Sequence, residues 1–218
     1  MKSNKKAFTL AEVLVTLGII GVVSAMTVPN LVKNYQNQAL VTQLHKVYTE
    51  FSQAIQLYMS DQKVESLAET ELFNNNANLE AFIDNYFKVV SRCGNSYISN
   101  GGAKCFSSDN YYAINGDDAG RSLSGVTCNG IAFTLASGAA VCAETSATVP
   151  LYFEVDVNGA QAPNTFGRDF FDIWVNNDGE LYDKNFQDYG NTTNFANDVG
   201  SSTGAFGRIM NDGWKMNY

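Results

Sequence analysis

The 218-residue chain has one histidine, His45, no Cys-x-x-Cys pair, and 14 lysines and arginines against 22 aspartates and glutamates. A single histidine leaves no His-based nucleophile system and no histidine metal cluster. His45 itself falls on the polar side of an amphipathic stretch, where it has no metal-binding or catalytic company. The cysteines lack the paired motif and neighbouring histidine that mark reactive thiols. No glycine-rich loop has the spacing that cradles phosphate. A net charge of −8 disfavours nucleic-acid binding through a broad basic surface, because that affinity comes from neutralising phosphates. Paired acids are too common in so acidic a chain to signify hydrolysis. No catalytic constellation is present, and no enzyme is expected.

The most informative absence is local. From Phe8 to Val32 the chain runs FTLAEVLVTLGIIGVVSAMTVPNLV, with no basic residue and Glu12 as its only charge. At about 1.5 Å rise per residue, a helix of roughly 20 apolar residues crosses a bilayer core. A secretory signal has a shorter apolar region followed by a small-residue cleavage site. Here the small residue, Ala7, precedes the apolar run. Lys2, Lys5 and Lys6 lie before it, which places the leader in the cytoplasm and the remainder outside. Without them 11 basic residues face 22 acidic ones, a net −11. A carboxylate inside hydrocarbon costs about 2.5–3.5 kcal/mol on insertion scales, so Glu12 needs a partner. A cut between Ala7 and Phe8 creates one, a new α-amine at Phe8 about 6 Å of helical rise from Glu12. That amine sits at the positive end of the helix dipole. Between two helices offset by one turn, amine and carboxylate meet directly.

The stretch KKAFTLAEVLVTLGIIGVVSAMTVPNLV closely resembles the N-terminus of type IV pilins and type II secretion pseudopilins. The resemblance implies cleavage by a prepilin peptidase between Ala7 and Phe8 and methylation of the new N-terminus. It also implies that Glu12 aligns each incoming subunit in a helical filament. The family usually has glycine where this chain has Ala7. Pro29 matches the position around which helices of such filaments bend or partly melt. On its own physics it is a membrane-helix kink, since proline removes a backbone bond and Gly18 and Gly21 loosen the helix. Ser24 and Thr27 are placed to recover freed backbone groups.

The helical pattern continues past the membrane segment. Leu40, Leu44, Val47, Tyr48, Phe51, Ala54, Ile55 and Tyr58 keep three-four spacing, with Gln43, Lys46, Glu50, Gln53 and Gln56 on the opposite face. One helix from Phe8 to about Met59 is expected, apolar all round in its first half and one-sided in its second. The chain divides into a leader (1–7), a transmembrane and assembly helix (8–32), its amphipathic continuation (33–60) and an extracytoplasmic head (61–218). The roughly 155 residues after the helix suffice for one core.

Within the head, Leu79, Phe82, Ile83, Tyr86, Phe87 and Val90 share a face, predicting a helix over 79–90 with Asn78 as cap. Short β segments follow: YYAI, IAFTL, LYFEVDV, FFDIWV and ELYD. Turn signals separate them at Asn158–Gly159 and Asn176–Gly179. Strands after a long helix predict an α+β fold in which the helix packs on an antiparallel sheet, the pilin-like arrangement. The terminal WKMNY is expected to return as an edge strand. An even cysteine count in an exported domain reads as disulfides, and four cysteines allow three connectivities. The sequence-local pairing, Cys93–Cys105 with Cys128–Cys142, is preferred. It closes one polar loop and staples a hairpin turning near Ser137–Gly138.

One segment offers ligand chemistry. In FEVDVNGAQAPNTFGRDFFD, Asp156, Asn158, Asn164, Asp169 and Asp172 supply hard oxygen donors of the kind calcium takes. Only a fragment of the EF-hand pattern is present. The competing reading is a type I′ turn at Asn158–Gly159 and a proline-fixed loop whose Asp and Asn side chains cap backbone groups. No cofactor is required, and calcium is the cation considered.

Two functional classes emerge. The first is a structural filament subunit, of a secretion pseudopilus or of a pilus, that dwells in the bacterial inner membrane with its head outside before joining a periplasmic or cell-surface filament. The resemblance then implies related subunits, prepilin peptidase, an inner-membrane assembly platform and lipid as partners. The second is a membrane-anchored extracytoplasmic binding module that never polymerises. Phe8 and Glu12 separate them, since a simple anchor needs neither.

Overall fold

The computed structural model describes residues 9–72, 75–93, 105–107, 110–114, 116, 128, 130–145, 151–183 and 205–218. Ala7 and Phe8, expected to flank the processing site, lie outside the described residues. The chain forms two compact units, one ending at Ala39 and one spanning Leu40–Tyr218.

Helix α1 runs from Leu10 to Gln62, slightly beyond the Met59 expected from periodicity, and contains Pro29. It ends where Lys63 turns left-handed (φ 57°) and the Val64 N–H bonds back to the Met59 carbonyl at 3.1 Å. The first unit contains the part of α1 that is long and apolar enough to cross a membrane. Its leucines, isoleucines and valines from Leu10 to Val32 are exposed, as they are on a helix whose partner is lipid or another helix.

In the second unit α2 (Asn76–Tyr86) precedes six strands: β1 (Val89–Cys93), β2 (Ile131–Leu135), β3 (Ala140–Glu144), β4 (Leu151–Asp156), β5 (Phe170–Val175) and β6 (Leu181–Tyr182). They form one sheet in chain order, every neighbouring pair antiparallel. A short helix, α3 (Ala205–Asn211), follows. The expected α+β fold of helix and antiparallel sheet is therefore the fold observed.

Strand alternation builds two cores. Phe133, Val141, Ala143, Phe153, Val155, Phe171 and Ile173 join the helix residues Leu44, Val47, Phe51, Ala54, Ile55 and Tyr58 in the larger one. Phe51 packs at 4.1 Å from the Phe153 ring and 5.5 Å from Phe87. Ala132, Ala140, Cys142 and Phe170, offset by one residue along their strands, line the other core with Phe106, Tyr111 and Phe166. The disulfides join Cys93 to Cys105 and Cys128 to Cys142, and all four cysteines belong to this second core.

The structure departs from expectation at four places, the first being YYAI, of which Tyr112 makes only an isolated bridge to Thr165 and no strand forms. The helix expected over 79–90 starts earlier, capped by the Asn75 side chain on the Ala77 and Asn78 N–H groups, and stops at Tyr86. Val89 and Val90 belong instead to β1, where Val89 pairs with Leu135. The terminal WKMNY forms no strand. Trp214 turns left-handed (φ 60°) and packs on His45 at 4.1 Å and Tyr48 at 5.2 Å. The turn at Asn158–Gly159 is not type I′, which needs positive φ at both central residues. Only Gly159 has it (φ 69°), and the Gly159 N–H closes the turn on the Asp156 carbonyl at 3.2 Å.

Gly159 is required twice. Its backbone conformation disfavours any side chain, and an added Cβ would lie 2.7 Å from the Gly138 carbonyl oxygen in the β2–β3 turn. Gly159→Ala is expected to destabilise the head by about 1–2 kcal/mol from conformation alone, with the clash adding to this. Thermal melting of the purified chain followed by tryptophan fluorescence measures it, and an unchanged transition would contradict the contact.

Candidate functional site

Two places carry the polar residues singled out in the sequence. The first is the start of α1. Thr9 caps the helix with Glu12 reaching back: the Thr9 N–H and hydroxyl each donate to Glu12 Oε2 at 2.8 Å, and the Glu12 N–H donates to Thr9 Oγ1 at 3.3 Å. This reciprocal pair is a capping box, which satisfies N–H groups that a helix start leaves open. Its signal, a threonine three residues before a glutamate at the head of an apolar run, stands in the sequence, but the sequence reading assigned Glu12 only to the Phe8 amine. Within the uncut chain the carboxylate thus has local donors. One turn on, the Thr16 hydroxyl donates to the Glu12 carbonyl at 2.9 Å, so the first turns are tied by side chains despite their apolar setting.

Further along, the Thr27 hydroxyl donates to the Val23 carbonyl at 2.9 Å, four residues before it. Pro29 has no N–H to offer the Ala25 carbonyl. An added Cβ at Gly18 or Gly21 would meet nothing, so neither glycine is required by contacts within this chain.

The second place is the loop between β4 and β5. Asp156 ends β4, and Asp169 stands just before β5; both are fully buried. Tyr111 donates its hydroxyl to Asp156 Oδ2 at 2.7 Å, and the Asn158 N–H donates to Oδ1 at 3.2 Å. Asp169 receives the Thr165 N–H on Oδ1 at 2.6 Å and the Asn164 N–H on Oδ2 at 2.8 Å. The Val157 N–H reaches the Asp169 carbonyl at 2.8 Å, closing the loop on itself. Asn164 adopts the left-handed region (φ 52°), which asparagine tolerates better than most residues. Its side-chain amide donates to Ser107 Oγ at 3.0 Å, and the Ser107 N–H donates to the Tyr111 hydroxyl at 3.3 Å. Tyr112 adds backbone bonds at 2.9 Å with Asn164 and Phe166. From the chain's end, the Tyr218 hydroxyl donates to the Gly167 carbonyl.

Electrostatics make this loop unusual. Burial, and then the negative charge of Asp169, push the Asp156 carboxyl well above the ordinary range, while the hydrogen bond from Tyr111 opposes the rise. Burial also pushes Asp169 up to about 6, against the N–H groups of Thr165 and Asn164 and the charge of Arg168. The Tyr111 hydroxyl is pushed up by burial and by the Asp156 charge. Sealing two neighbouring carboxylates from water costs free energy until a proton or a cation joins them.

The structure therefore brings Asp156, Asn158, Asn164 and Asp169 into one loop. Asp172 is not among them. It faces Glu154 across the β4–β5 pair, with the Tyr152 hydroxyl 3.5 Å away. Sequence reasoning missed Tyr111 and Ser107 as partners of these acids: Tyr111 opens YYAI, which reads as a strand, and Ser107 lies in a polar stretch that reads as loop. Among the described residues, one group of three metal-type side chains converges: Cys128, Cys142 and Glu144. Its two sulfurs are joined in a disulfide, which removes the thiolates a metal would need.

Residues 2–28 match the family model of the prokaryotic N-terminal methylation motif. No curated protein matches the chain, and no solved structure matches it. The matched segment covers the basic leader, Ala7, Phe8, Thr9 and Glu12, and the apolar helix up to the residue before Pro29. The chain thus carries the type IV pilin and pseudopilin signature. Together with an apolar first helix long enough to cross a membrane, the motif supports a type IV pilin-like or pseudopilin precursor and suggests anchoring through the N-terminal segment.

Proposed function

We propose that this chain is a structural subunit of a type IV pilus-like filament or type II secretion pseudopilus. One observation carries the reading: the methylation motif runs into an apolar helix whose single charge is Glu12. Before processing, Lys2, Lys5 and Lys6 hold the leader inside and the head stands outside the cytoplasm. A prepilin peptidase cuts between Ala7 and Phe8, and methylation keeps the new amine basic. An inner-membrane assembly platform then lifts the helix from lipid into a filament of identical or related subunits, where Glu12 meets the amine of a neighbour. The disulfides accord with an oxidising compartment.

Intact mass and N-terminal sequencing of the native protein test this reading. A chain beginning at methylated Phe8 is expected. A chain beginning at Met1, in a host with an active prepilin peptidase, would instead indicate an uncleaved anchor for a binding module.

A further inference from the structure

We propose that the segment carrying Cys105 and Cys128 is a redox-pinned cover: it seats on the outer face of the sheet only when its disulfides have formed, while the α1 side of the head folds without them. The bridges are placed as pins. Cys93 pairs with Ala132, and Ala132 with Cys142, so the three lie in one row across β1, β2 and β3, on the face away from α1. Their partners lie outside the strands: Cys105 joins Cys93, and Cys128 joins Cys142. One bridge therefore anchors the cover on each side of β2, and the Thr134 hydroxyl of β2 donates to Cys105 Sγ at 3.2 Å. Between the two pins, the described residues 105–107 and 110–114 bring Phe106 and Tyr111 into the second core, against Phe166 and Phe170.

The two cores differ in what holds them. Among the described residues the second core has ten members, four of them the bridged cysteines and two of them alanines, against 31 in the core around α1. The larger core contains no cysteine, so its packing has no redox state. The cover's other ties run to the β4–β5 loop: the Tyr111 hydroxyl on Asp156, the Asn164 amide on Ser107, and the backbone bonds of Tyr112 with Asn164 and Phe166. Each of these exchanges for a bond to water when the cover lifts, so their net contribution is small. A disulfide acts otherwise, by restricting the separated state itself. Among the described strand residues, lifting the cover bares Ala132, Ala140 and Phe170, of which only Phe170 is large. Seating requires an oxidant, a protein disulfide of the oxidising compartment. One head thiolate attacks that disulfide to form a mixed disulfide, and the second head thiolate displaces the oxidant's thiol. Each bridge thus passes two electrons and two protons to the oxidant, which leaves as a dithiol. The device is independent of how the N-terminus is processed.

The test compares the full chain in detergent, oxidised and after reduction with a phosphine, by hydrogen exchange and mass spectrometry. After reduction the amides of Tyr112 and Phe166, which join the cover to the β4–β5 loop, should exchange within about tenfold of an unstructured peptide, while amides of residues 44–58 in α1 stay protected at least about a hundredfold. Iodoacetamide should then label all four cysteines, Cys142 included, although that side chain is fully buried in the oxidised head. Tryptophan fluorescence, from Trp174 and Trp214, should still show a cooperative melt. The chain carrying Cys93→Ala, Cys105→Ala, Cys128→Ala and Cys142→Ala together should show the same exchange pattern with no reductant present. Loss of α1 protection in the reduced chain would overturn the proposal, because the bridges would then be a requirement of the whole head. Undiminished protection of Tyr112 and Phe166 in the reduced chain would overturn it from the other side, by showing that the cover seats unaided.

Discussion

Glu12→Ala is expected to leave membrane insertion intact and to abolish recovery of the subunit in sheared filaments. Insertion should not suffer, because the substitution removes the only charge in the span from Phe8 to Val32. It relieves about 2.5–3.5 kcal/mol of burial cost on insertion scales. The loss of the cap on Thr9 costs about 0.5–2 kcal/mol of local helix stability, which a membrane helix of this length absorbs. Assembly is different, since the proposed register comes from a carboxylate meeting the amine of a neighbouring Phe8. Glu12→Gln separates the two roles. Glutamine still accepts from the Thr9 N–H and so keeps the capping box, but it brings no charge to an incoming amine. If charge pairing sets register, Glu12→Gln fails like Glu12→Ala. If only the cap matters, Glu12→Gln assembles. Fractionation of membranes and sheared filaments, probed for the head, measures both steps. Wild-type levels of Glu12→Ala in filaments would overturn the assembly role of the carboxylate.

What the sequence made legible follows from how local each interaction is. The long helix shows in hydrophobic period, because one face repeats over many turns, and β2, β4 and β5 show as apolar alternation between turn signals. β1 does not. In VVSRC the residue Val90 continues the spacing of the preceding helix, and only pairing with β2 and the Cys93–Cys105 bridge make a strand of it. Those partners lie 12 and about 40 residues away, beyond any window of periodicity. The terminal WKMNY has strand composition, yet its aromatic residues gain more from His45, Tyr48 and the loop at Gly167 than from a sheet edge.

The candidate loop was half legible for the same reason. Its acids and amides stand close in sequence, so Asp156, Asn158, Asn164 and Asp169 stand out as oxygen donors, along with Asp172, which the sheet pairs with Glu154 instead. Tyr111 and Ser107 lie about 45 and 57 residues from their partners, one opening a segment that reads as a strand and the other in a polar stretch that reads as loop. Their role depends on a second core that covers the far side of the sheet, and two disulfides and a few aromatic side chains hold that core. No local pattern announces it.

Phe51→Ala should produce the largest stability loss in the head. Phe51 is fully buried on the one-sided half of α1, against Phe153 and Phe87. Truncating such a residue removes its transfer free energy and leaves a cavity that neighbours fill only in part, about 3–5 kcal/mol in total. For a domain of this size the melting temperature should fall by roughly 6–20 °C. Leu57→Ala supplies the contrast, because Leu57 is exposed six residues further along the same helix. Its loss should stay near ±0.5 kcal/mol, the range for surface substitutions. Equal losses in the two variants would mean that helix propensity, not docking on the sheet, stabilises this half of α1. Processing at Phe8 should be unchanged in both, since the methylation motif ends at residue 28 and neither position touches it. A Phe51→Ala chain that is cut normally yet has a loosened head would show that the assembly signal and the folded head are separable parts of one helix: the first half is read by the membrane machinery, the second serves as the central strut of the core.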